Sequence, residues 1–236
     1  MFRTNLAVLG ENYFDYAIYD YSENVSYEKG DIVEHWTLER DVSIQIRLLY
    51  TGTEMFRITT LETEGEAKIA AYVNHKSIDV VLIPHFIRED YGQPIYTITR
   101  LAKKSFYSPI NVQDLKVYVI PNTVNTIDAQ VFMRAGAKEI YMTDSVTVLE
   151  YEAFAGITSL QKLVLSHNAV MAHGNPFTSM SVEKLYYTST YQNWHTEYMD
   201  RFNIDYQQVY FYNTNSYLTP GYQYWMYDTN GIIIER

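Results

Sequence analysis

Apolar residues recur along the second half of the chain at intervals of 22 or 23 residues. Each unit starts with an apolar residue, numbered position 0 here, and has further apolar residues at positions 3 and 5. Units that fit this pattern start at Leu115, Ala137, Leu160 and Val182. In the first three units, further apolar residues and a phenylalanine follow, namely Val124, Ile127 and Phe132; Val146, Leu149 and Phe154; Val170 and Phe177. A pattern repeated at a fixed period predicts an array of structural repeats.

The length of the period indicates the kind of array. About 22 residues are too few for a pair of helices and fit one coil of a solenoid, in which each coil covers the apolar edge of its neighbour. LKVYVIP (115–121) and LQKLVLS (160–166) are predicted to be strands that pair in parallel with the neighbouring coils, about 4.8 Å away. The phenylalanine of each coil is predicted to fill the interior.

An earlier coil is longer than the others. Residues 78–106 contain a first apolar strand, a second strand YTITRL and a final Phe106. Between the strands, REDYGQP (88–94) carries the glycine and proline typical of a turn. The sequence therefore predicts a coil with an inserted hairpin-like turn.

Several segments resemble BspA-type leucine-rich repeats. VLIPHFIREDYGQPIYTITRLAKKSF (81–106) and YVIPNTVNTIDAQVF (118–132) resemble the family unit, which runs leucine, isoleucine, Ile-Pro, a spaced Val and Ile, then Ala-Phe. LYYTSTYQNW (185–194) and residues 209–231 resemble the segments that close such arrays, and residues 55–84 resemble the strands that precede the first coil. The resemblance covers about residues 55–231.

The resemblance implies a fold and a class of function. It implies a mainly β, right-handed leucine-rich repeat solenoid used in adhesion and in protein or glycan binding, usually on a bacterial surface, and it implies no catalytic reaction. The sequence departs from the family pattern where Thr143 and Ser166 replace proline, and where Ala155 and Gly156 stand in place of the usual cysteine. These family positions are structural, so the departures weaken no site.

Three parts of the chain are predicted. Residues 1–54 lie outside the resemblance, and their turn signals and alternating residues predict a small N-terminal β module. Residues 55–187 are predicted to form the solenoid, and residues 188–236 a C-terminal β cap rich in Tyr and Trp. The first part loosely resembles small β modules of phage structural proteins and secreted carbohydrate-binding proteins. We expect it to be the contact with an assembly partner or a second copy.

Composition narrows the classes of partner. The 236 residues carry a net charge of −10, which disfavours nucleic acid, and the segment with Arg100, Lys103 and Lys104 is too small to reverse this. Cysteine is absent, which excludes disulfides and thiolate metal sites. The opening residues do not fit a secretory signal, and no apolar run is long enough to insert in a membrane. A cell-surface or secreted location therefore rests on the resemblance alone.

The 24 tyrosines crowd towards both ends of the chain. Two interpretations stand. Tyrosine favours packing in β-rich structure, and it also suits recognition surfaces because it offers a large, rigid contact area with a polar tip.

No catalytic, cofactor or metal site is predicted. His167 and His173 fall in one coil but lack metal-ligand spacing, and His195 with Glu197 lies in the segment that closes the array. Three alternating carboxylates are expected to form a solvated face of a hairpin: Glu62, Glu64 and Glu66.

The repeat predicts one surface. If positions 0, 3 and 5 point inward, positions 2 and 4 point outward. Position 2 forms a mixed-charge column of Val117, Glu139, Lys162 and Lys184. Position 4 forms an apolar column of Val119, Tyr141, Val164 and Tyr186. A contiguous apolar strip beside mixed charges predicts a ligand-binding site, unless flanking segments or the end module cover it, and both alternatives stay open.

These observations favour a non-enzymatic binding and adhesion protein that recognises a protein or glycan on a cell surface. The alternative is a phage virion structural or host-attachment protein that displays a leucine-rich repeat domain.

Overall fold

The protein is mainly β, as predicted. The computed structural model describes residues 17–20, 25–27, 46–51, 55–73, 79–90, 92–108, 115–194, 201, 204–215, 218–227 and 233–236. These residues include 18 strands and two short 3-10 turns, Tyr191–Asn193 and Tyr206–Gln208.

The strands are numbered in chain order. They are β1 Ala17–Asp20, β2 Val25–Tyr27, β3 Ile46–Thr51, β4 Phe56–Thr60, β5 Glu66–Tyr72, β6 Val80–Leu82, β7 Phe86–Arg88, β8 Tyr96–Leu101, β9 Lys116–Val119, β10 Thr126–Ile127, β11 Ala137–Tyr141, β12 Val148–Leu149, β13 Leu160–Leu165, β14 Val170–Met171, β15 Val182–Tyr187, β16 Val209–Tyr212, β17 Gln223–Tyr227 and β18 Ile233–Glu235.

Each coil adds one strand to each of two sheets. The long-strand sheet runs β6, β9, β11, β13, β15, β16 and β17 in parallel, and β18 closes it as an antiparallel edge. The short-strand sheet pairs β8, β10, β12 and β14 in parallel. Leu160 lies opposite Val182, and Leu163 opposite Leu185. The stacked coils are therefore in register, as the repeat predicts.

A ladder of aromatic rings fills the space between the sheets. Phe106, Phe132, Phe154 and Phe177 are buried, and the centroids of successive rings are 4.9, 5.5 and 5.6 Å apart. The planes of Phe132 and Phe154 differ by only 8°. Tyr72 extends the stack, with its centroid 5.2 Å from that of Phe106. The prediction that one phenylalanine of each coil fills the interior is confirmed.

The long coil contains the predicted hairpin. β7 pairs with the start of β8 in antiparallel fashion, with Phe86 opposite Thr97 and Ile87 opposite Tyr96. The other edge of β7 pairs in parallel with β3, where Leu49 lies opposite Phe86. One sheet therefore runs across the boundary predicted at residue 54. The limits of the three parts, and the right-handed sense of the coils, stay predictions.

The first unit differs from the prediction by one residue. Ala137 pairs with Lys116 instead of Leu115, and a bulge in β11 separates this pair from the pair of Glu139 and Val117. Shifting a strand by one residue turns each side chain to the opposite face. Leu115 is accordingly 40% exposed and Lys116 only 1% exposed. The prediction that Leu115 points inward is wrong, whereas Ala137, Leu160 and Val182 are buried as predicted.

The last short strand shows a similar shift. Val170 pairs with Val148 and is 64% exposed. The neighbouring Ala169 is buried in its place. Val170 is therefore not the inward equivalent of Val146 that the spacing suggested.

Serine hydroxyls link coils near the positions where the family favours proline. Ser166 Oγ donates a hydrogen bond of 2.8 Å to the Val146 carbonyl, and Ser145 Oγ one of 2.8 Å to the Val124 carbonyl. Thr143 Oγ1 lies 2.5 Å from Ser145 Oγ. The bonds that Ser166 and Ser145 donate join successive coils, and Thr143 contacts Ser145, so the departures from the family pattern remain structural.

Residues with left-handed backbone conformation flank the buried phenylalanines. Two residues before the ring lie Gln130, with φ of 61°, and Glu152, with φ of 56°. Two residues after it lie Arg134, Gly156 and Ser179, with φ of 54°, 69° and 54°. Only one of these five residues is glycine, so the residue types carry no turn signal at most of these positions. The corner that carries each ring therefore has a left-handed backbone conformation that its residue types do not indicate.

Replacing Phe154 by Ala is expected to destabilise the protein by about 3 to 5 kcal/mol, because it opens a cavity between two stacked rings. Urea unfolding of wild type and variant measures the difference. Phe154→Leu is the control and should lose less, since it keeps most of the apolar volume. A loss below about 1 kcal/mol in Phe154→Ala would contradict a packed ladder.

Removing a glycine at one corner and introducing a glycine at the equivalent corner of the next coil should change the stability in opposite directions. Gly156→Ala is expected to cost about 1 to 2 kcal/mol, because a side chain disfavours positive φ. The added Cβ would also lie 3.2 Å from Arg134 Cγ. Ser179→Gly is expected to stabilise the protein by about 0.5 to 1 kcal/mol, since it relieves the same conformation. Thermal unfolding checks both signs, and equal signs would contradict this account of the corners.

Candidate binding face

Both predicted columns lie on the face of the long-strand sheet that points away from the aromatic ladder. In the mixed-charge column, Glu139 lies opposite Lys162, and Lys162 opposite Lys184. In the apolar column, Val119 lies opposite Tyr141, Tyr141 opposite Val164, and Val164 opposite Tyr186. The parallel strands therefore place these side chains side by side, as the sequence predicts.

The C-terminal strands cover part of the apolar column. Val164 and Tyr186 are fully buried in a cluster with Trp225, and half-buried aromatic and apolar residues pack around it: Tyr141, Tyr210, Tyr212, Tyr227 and Ile233. The expectation that Val164 and Tyr186 are exposed is wrong. At these two residues, covering by the end module is the correct alternative.

Trp225 holds the covering segment in place. Its ring lies edge-on to that of Tyr186, with centroids 5.6 Å apart and planes at 74°. Its Nε1 donates a hydrogen bond of 2.8 Å to the Tyr187 carbonyl, so its polar atom is satisfied although the side chain is buried. Sequence reasoning assigned this segment to the cap but missed the contact, because nothing local indicates where the segment packs.

The tyrosines near the C-terminus act largely in packing. Tyr186, Tyr187 and Tyr224 are buried. Tyr187 packs edge-on against Trp194, with centroids 4.9 Å apart, at the end of the repeat array. For these residues the packing interpretation is correct.

Val119 and Tyr141 remain partly accessible on the apolar column. The Tyr141 hydroxyl donates a hydrogen bond to the Glu139 carboxylate. Burial raises the pKa of Tyr141 well above its ordinary value, and the bond to Glu139 raises it further. The hydroxyl therefore stays protonated and links the two columns.

Ion pairs order the mixed-charge column. Lys162 Nζ lies 3.5 Å from Glu139 Oε1. Lys184 Nζ lies 2.7 Å from both carboxylate oxygens of Glu235 in β18, and 5.5 Å from the centroid of the Tyr210 ring. The column therefore presents partly exposed charges of both signs, and Glu235 closes one end of it.

The environment of Glu235 favours its charged form. Partial burial alone would raise the pKa of this carboxyl. The hydrogen bonds from Lys184 and Tyr186 outweigh burial and leave the pKa below its usual value. The pKa of Lys184 is raised, chiefly by its bond to Glu235. The pair thus fastens the last strand to the face in its charged state.

The other candidate residues do not converge on a site. His167 Nδ1 lies 3.1 Å from Asp144 Oδ1, whereas His173 Nδ1 lies 2.7 Å from Glu150 Oε2. No group of three His, Cys, Asp or Glu that could hold a metal occurs in the described part of the chain. His195 and Glu197 lie outside the described residues.

The other charged residues singled out in the sequence form contacts within the fold or lie exposed on its surface. Arg100 Nη2 lies 2.6 Å from Asp128 Oδ1, so this arginine is tied within the array. Glu62 and Glu64 are exposed, and Glu66 accepts a hydrogen bond of 3.1 Å from Thr99 Oγ1.

Across the described ranges, no helix has the length and apolar character needed to cross a membrane.

Glu235→Gln is expected to weaken the attachment of β18 by at most about 1 kcal/mol, because the ion pair is partly exposed and solvent screens it. The contribution of Glu235 is present above the usual carboxyl pKa of 4.5. It is lost as the pH falls through the lowered pKa of the folded state, since the unfolded state then binds the proton more readily. Urea unfolding at about pH 7 and about pH 3 should show a difference that becomes smaller in acid.

Glu183→Gln is the matched control for this measurement, because Glu183 is exposed and adjacent to Lys184 in β15. It should leave stability unchanged at both pH values. A difference between wild type and Glu235→Gln that persists unchanged in acid would contradict the role of the charged pair.

Comparisons with known proteins place these coils in a family. The model of the BspA type leucine rich repeat region matches residues 94–204 in six copies. A comparison with curated proteins finds no match.

Solved leucine-rich repeat proteins are similar to part of the chain. One from Bacteroides ovatus is 17% identical, with a TM-score of 0.47, over 56% of this chain and 33% of its own. One from Bacteroides capillosus is 16% identical, with a TM-score of 0.46, over 58% of this chain and 96% of its own. One from T. pallidum is 15% identical, with a TM-score of 0.39, over 57% of this chain and 69% of its own. The chain thus spans about a third of the length of the Bacteroides ovatus protein.

The six matched copies fall on the segment in which the coils stack in register around the phenylalanine ladder. Residues 94–204 therefore form a BspA-type leucine-rich repeat region.

Proposed function

We propose that this chain is a non-enzymatic binding protein that recognises a protein or glycan on a cell surface. The observation that carries the proposal is the accessible part of the outer face, where Val119, Tyr141, Glu139 and Lys162 lie side by side on paired parallel strands. Strand pairing between neighbouring coils fixes the backbone that carries these side chains before a ligand binds. Less conformational entropy is then lost on binding than with flexible loops.

The chemistry of this face suits a mixed apolar and polar ligand surface. Tyr141 offers a large ring, and its bond to Glu139 limits its rotation. Lys162 and Glu139 supply a donor and an acceptor beside it. Aromatic and charged groups in close contact are typical of the residues that dominate protein interfaces.

The match of residues 94–204 to the BspA type leucine rich repeat model supports the wider context of the proposal. Leucine-rich repeat proteins are generally binding scaffolds and surface proteins, and we extend this to a cell-surface or secreted location. The proposal includes the right-handed sense of the coils, the C-terminal β cap, and contact with a second copy or an assembly partner through residues 1–54. No observation on the described residues favours the alternative of a virion component.

Binding to immobilised extracellular-matrix proteins and to a glycan array tests the proposal. Tyr141→Ala and Lys162→Ala are each expected to weaken binding by about fivefold or more, because they remove contacts at the centre of the accessible face. Surface plasmon resonance measures the affinities, and a thermal scan confirms that both variants remain folded.

Ile95→Ala is the control for these variants. Ile95 is an exposed apolar residue in the inserted hairpin, away from the face, and its replacement should leave binding unchanged. If the protein binds none of the immobilised matrix proteins and none of the glycans on the array, the proposed function is contradicted. Binding that Tyr141→Ala and Lys162→Ala leave unchanged would contradict the face.

A further inference from the structure

A second surface lies at the corner of the coil that carries Phe154. Tyr151 is 46% exposed although it is a large aromatic residue. The residue at the equivalent position is Ala129 in the preceding coil and Gly174 in the following coil. A single aromatic ring therefore stands among small residues.

Gly174 forms the support beneath this ring. A Cβ at Gly174 would lie 2.8 Å from Tyr151 Cδ2 and 3.5 Å from Tyr151 Cε2, so the ring rests directly against the glycine backbone. Arg201 Nη1 donates a hydrogen bond of 2.5 Å to the Gly174 carbonyl and holds that backbone in place. A larger residue at 174 would push the ring from its position.

An interaction with the Glu152 carboxylate raises the pKa of Tyr151 and helps to lower that of Glu152. Glu152 Oε2 also accepts a hydrogen bond of 2.8 Å from Gln130 Nε2 in the preceding coil. The ring is thus supported from below by Gly174, and much of its surface remains open to solvent.

The polar groups around the ring include both donors and acceptors. Glu150 and Glu152 contribute carboxylate oxygens, and each oxygen can accept more than one hydrogen bond. The imidazole of His173 lies 2.7 Å from Glu150, and the amide of Gln130 and the guanidinium of Arg201 supply donors nearby. Mixed donors and acceptors beside an apolar platform match a ligand that has hydroxyl groups and an apolar face.

We propose that Tyr151 is the stacking platform of a subsite for a neutral sugar ring, with Glu150, Glu152, Gln130 and His173 as hydrogen-bonding groups around it. A pyranose offers an apolar C–H face to the ring and hydroxyls that both donate and accept. Two carboxylates disfavour sulfated or phosphorylated ligands, whereas the guanidinium of Arg201 makes the site less suited to a cationic side chain. The fixed ring reduces the entropy lost on binding.

The subsite rests on the proposed function, because it names the ligand class of a binding protein, but it lies apart from the face that contains Tyr141. One sugar ring on one tyrosine gives weak binding. Useful attachment would therefore come from several copies that contact a glycan-covered surface together.

Isothermal titration with neutral hexasaccharides of glucose, mannose, galactose and N-acetylglucosamine tests the proposal. At least one is expected to bind the full chain with a Kd of about 0.1 to 1 mM. Tyr151→Ala should weaken this binding about tenfold or more, and Gly174→Ala should weaken it through displacement of the ring. Tyr151→Phe, which keeps the ring, should retain more affinity than Tyr151→Ala.

Ile95→Ala is the control and should bind like wild type, and thermal scans should show all variants folded. Failure of every hexasaccharide to bind, or equal binding by wild type and Tyr151→Ala, would overturn the subsite. Binding only to polylysine or to heparin would overturn it too, because the ligand would then be charged. Retained binding to matrix proteins in any of these cases leaves the proposed function standing, whereas loss of all binding overturns both.

Discussion

Hydrogen bonds between the main chains of successive coils are the interaction on which the structure depends. The amide of Phe132 donates to the Ala153 carbonyl at 2.7 Å, and the amide of Phe154 donates to the Pro176 carbonyl at 2.8 Å. These bonds fix the corner of one coil on the next and so align the rings of the ladder. Because buried amides need partners, and a coil finds most of them on its neighbours, one coil cannot be stable alone.

The same constraint produces the outer face. When parallel strands are in register, a side chain at a given position always lies beside its equivalent in the next coil. Rows such as Glu139 with Lys162, or Val164 with Tyr186, are therefore a direct result of the stacking. The chemistry of each row can change from coil to coil while the backbone stays the same.

The repeat was predictable from sequence because its signal is periodic and local. The spacing of phenylalanines located the ladder, and the glycine and proline of residues 88–94 located the inserted hairpin. The shift at Lys116 was not predictable, since a bulge changes the facing of a strand without changing its composition. The left-handed corners at Gln130 and Glu152 were also missed, because these residues are not typical turn formers.

The covering of Val164 and Tyr186 could not be derived from the repeat. It depends on Trp225, which lies far along the chain and reaches the face only after β16 and β17 have extended the sheet. A periodic pattern describes which side chains point outward, but long-range contacts decide which of them meet solvent. Glu235 was missed for the same reason, as its partner Lys184 is 51 residues away.

Several side-chain hydrogen bonds between coils join residues that lie about one repeat period apart, and this has a consequence for the evolution of the chain. Ser145 and Thr147 each bond to a carbonyl about one period earlier, and Ser159 bonds in the same way to Ala137. Tandem duplication or loss of one whole unit, through unequal recombination in the gene, would keep all such pairs matched. It would change the length of the rod by about 4.8 Å and leave both ends intact.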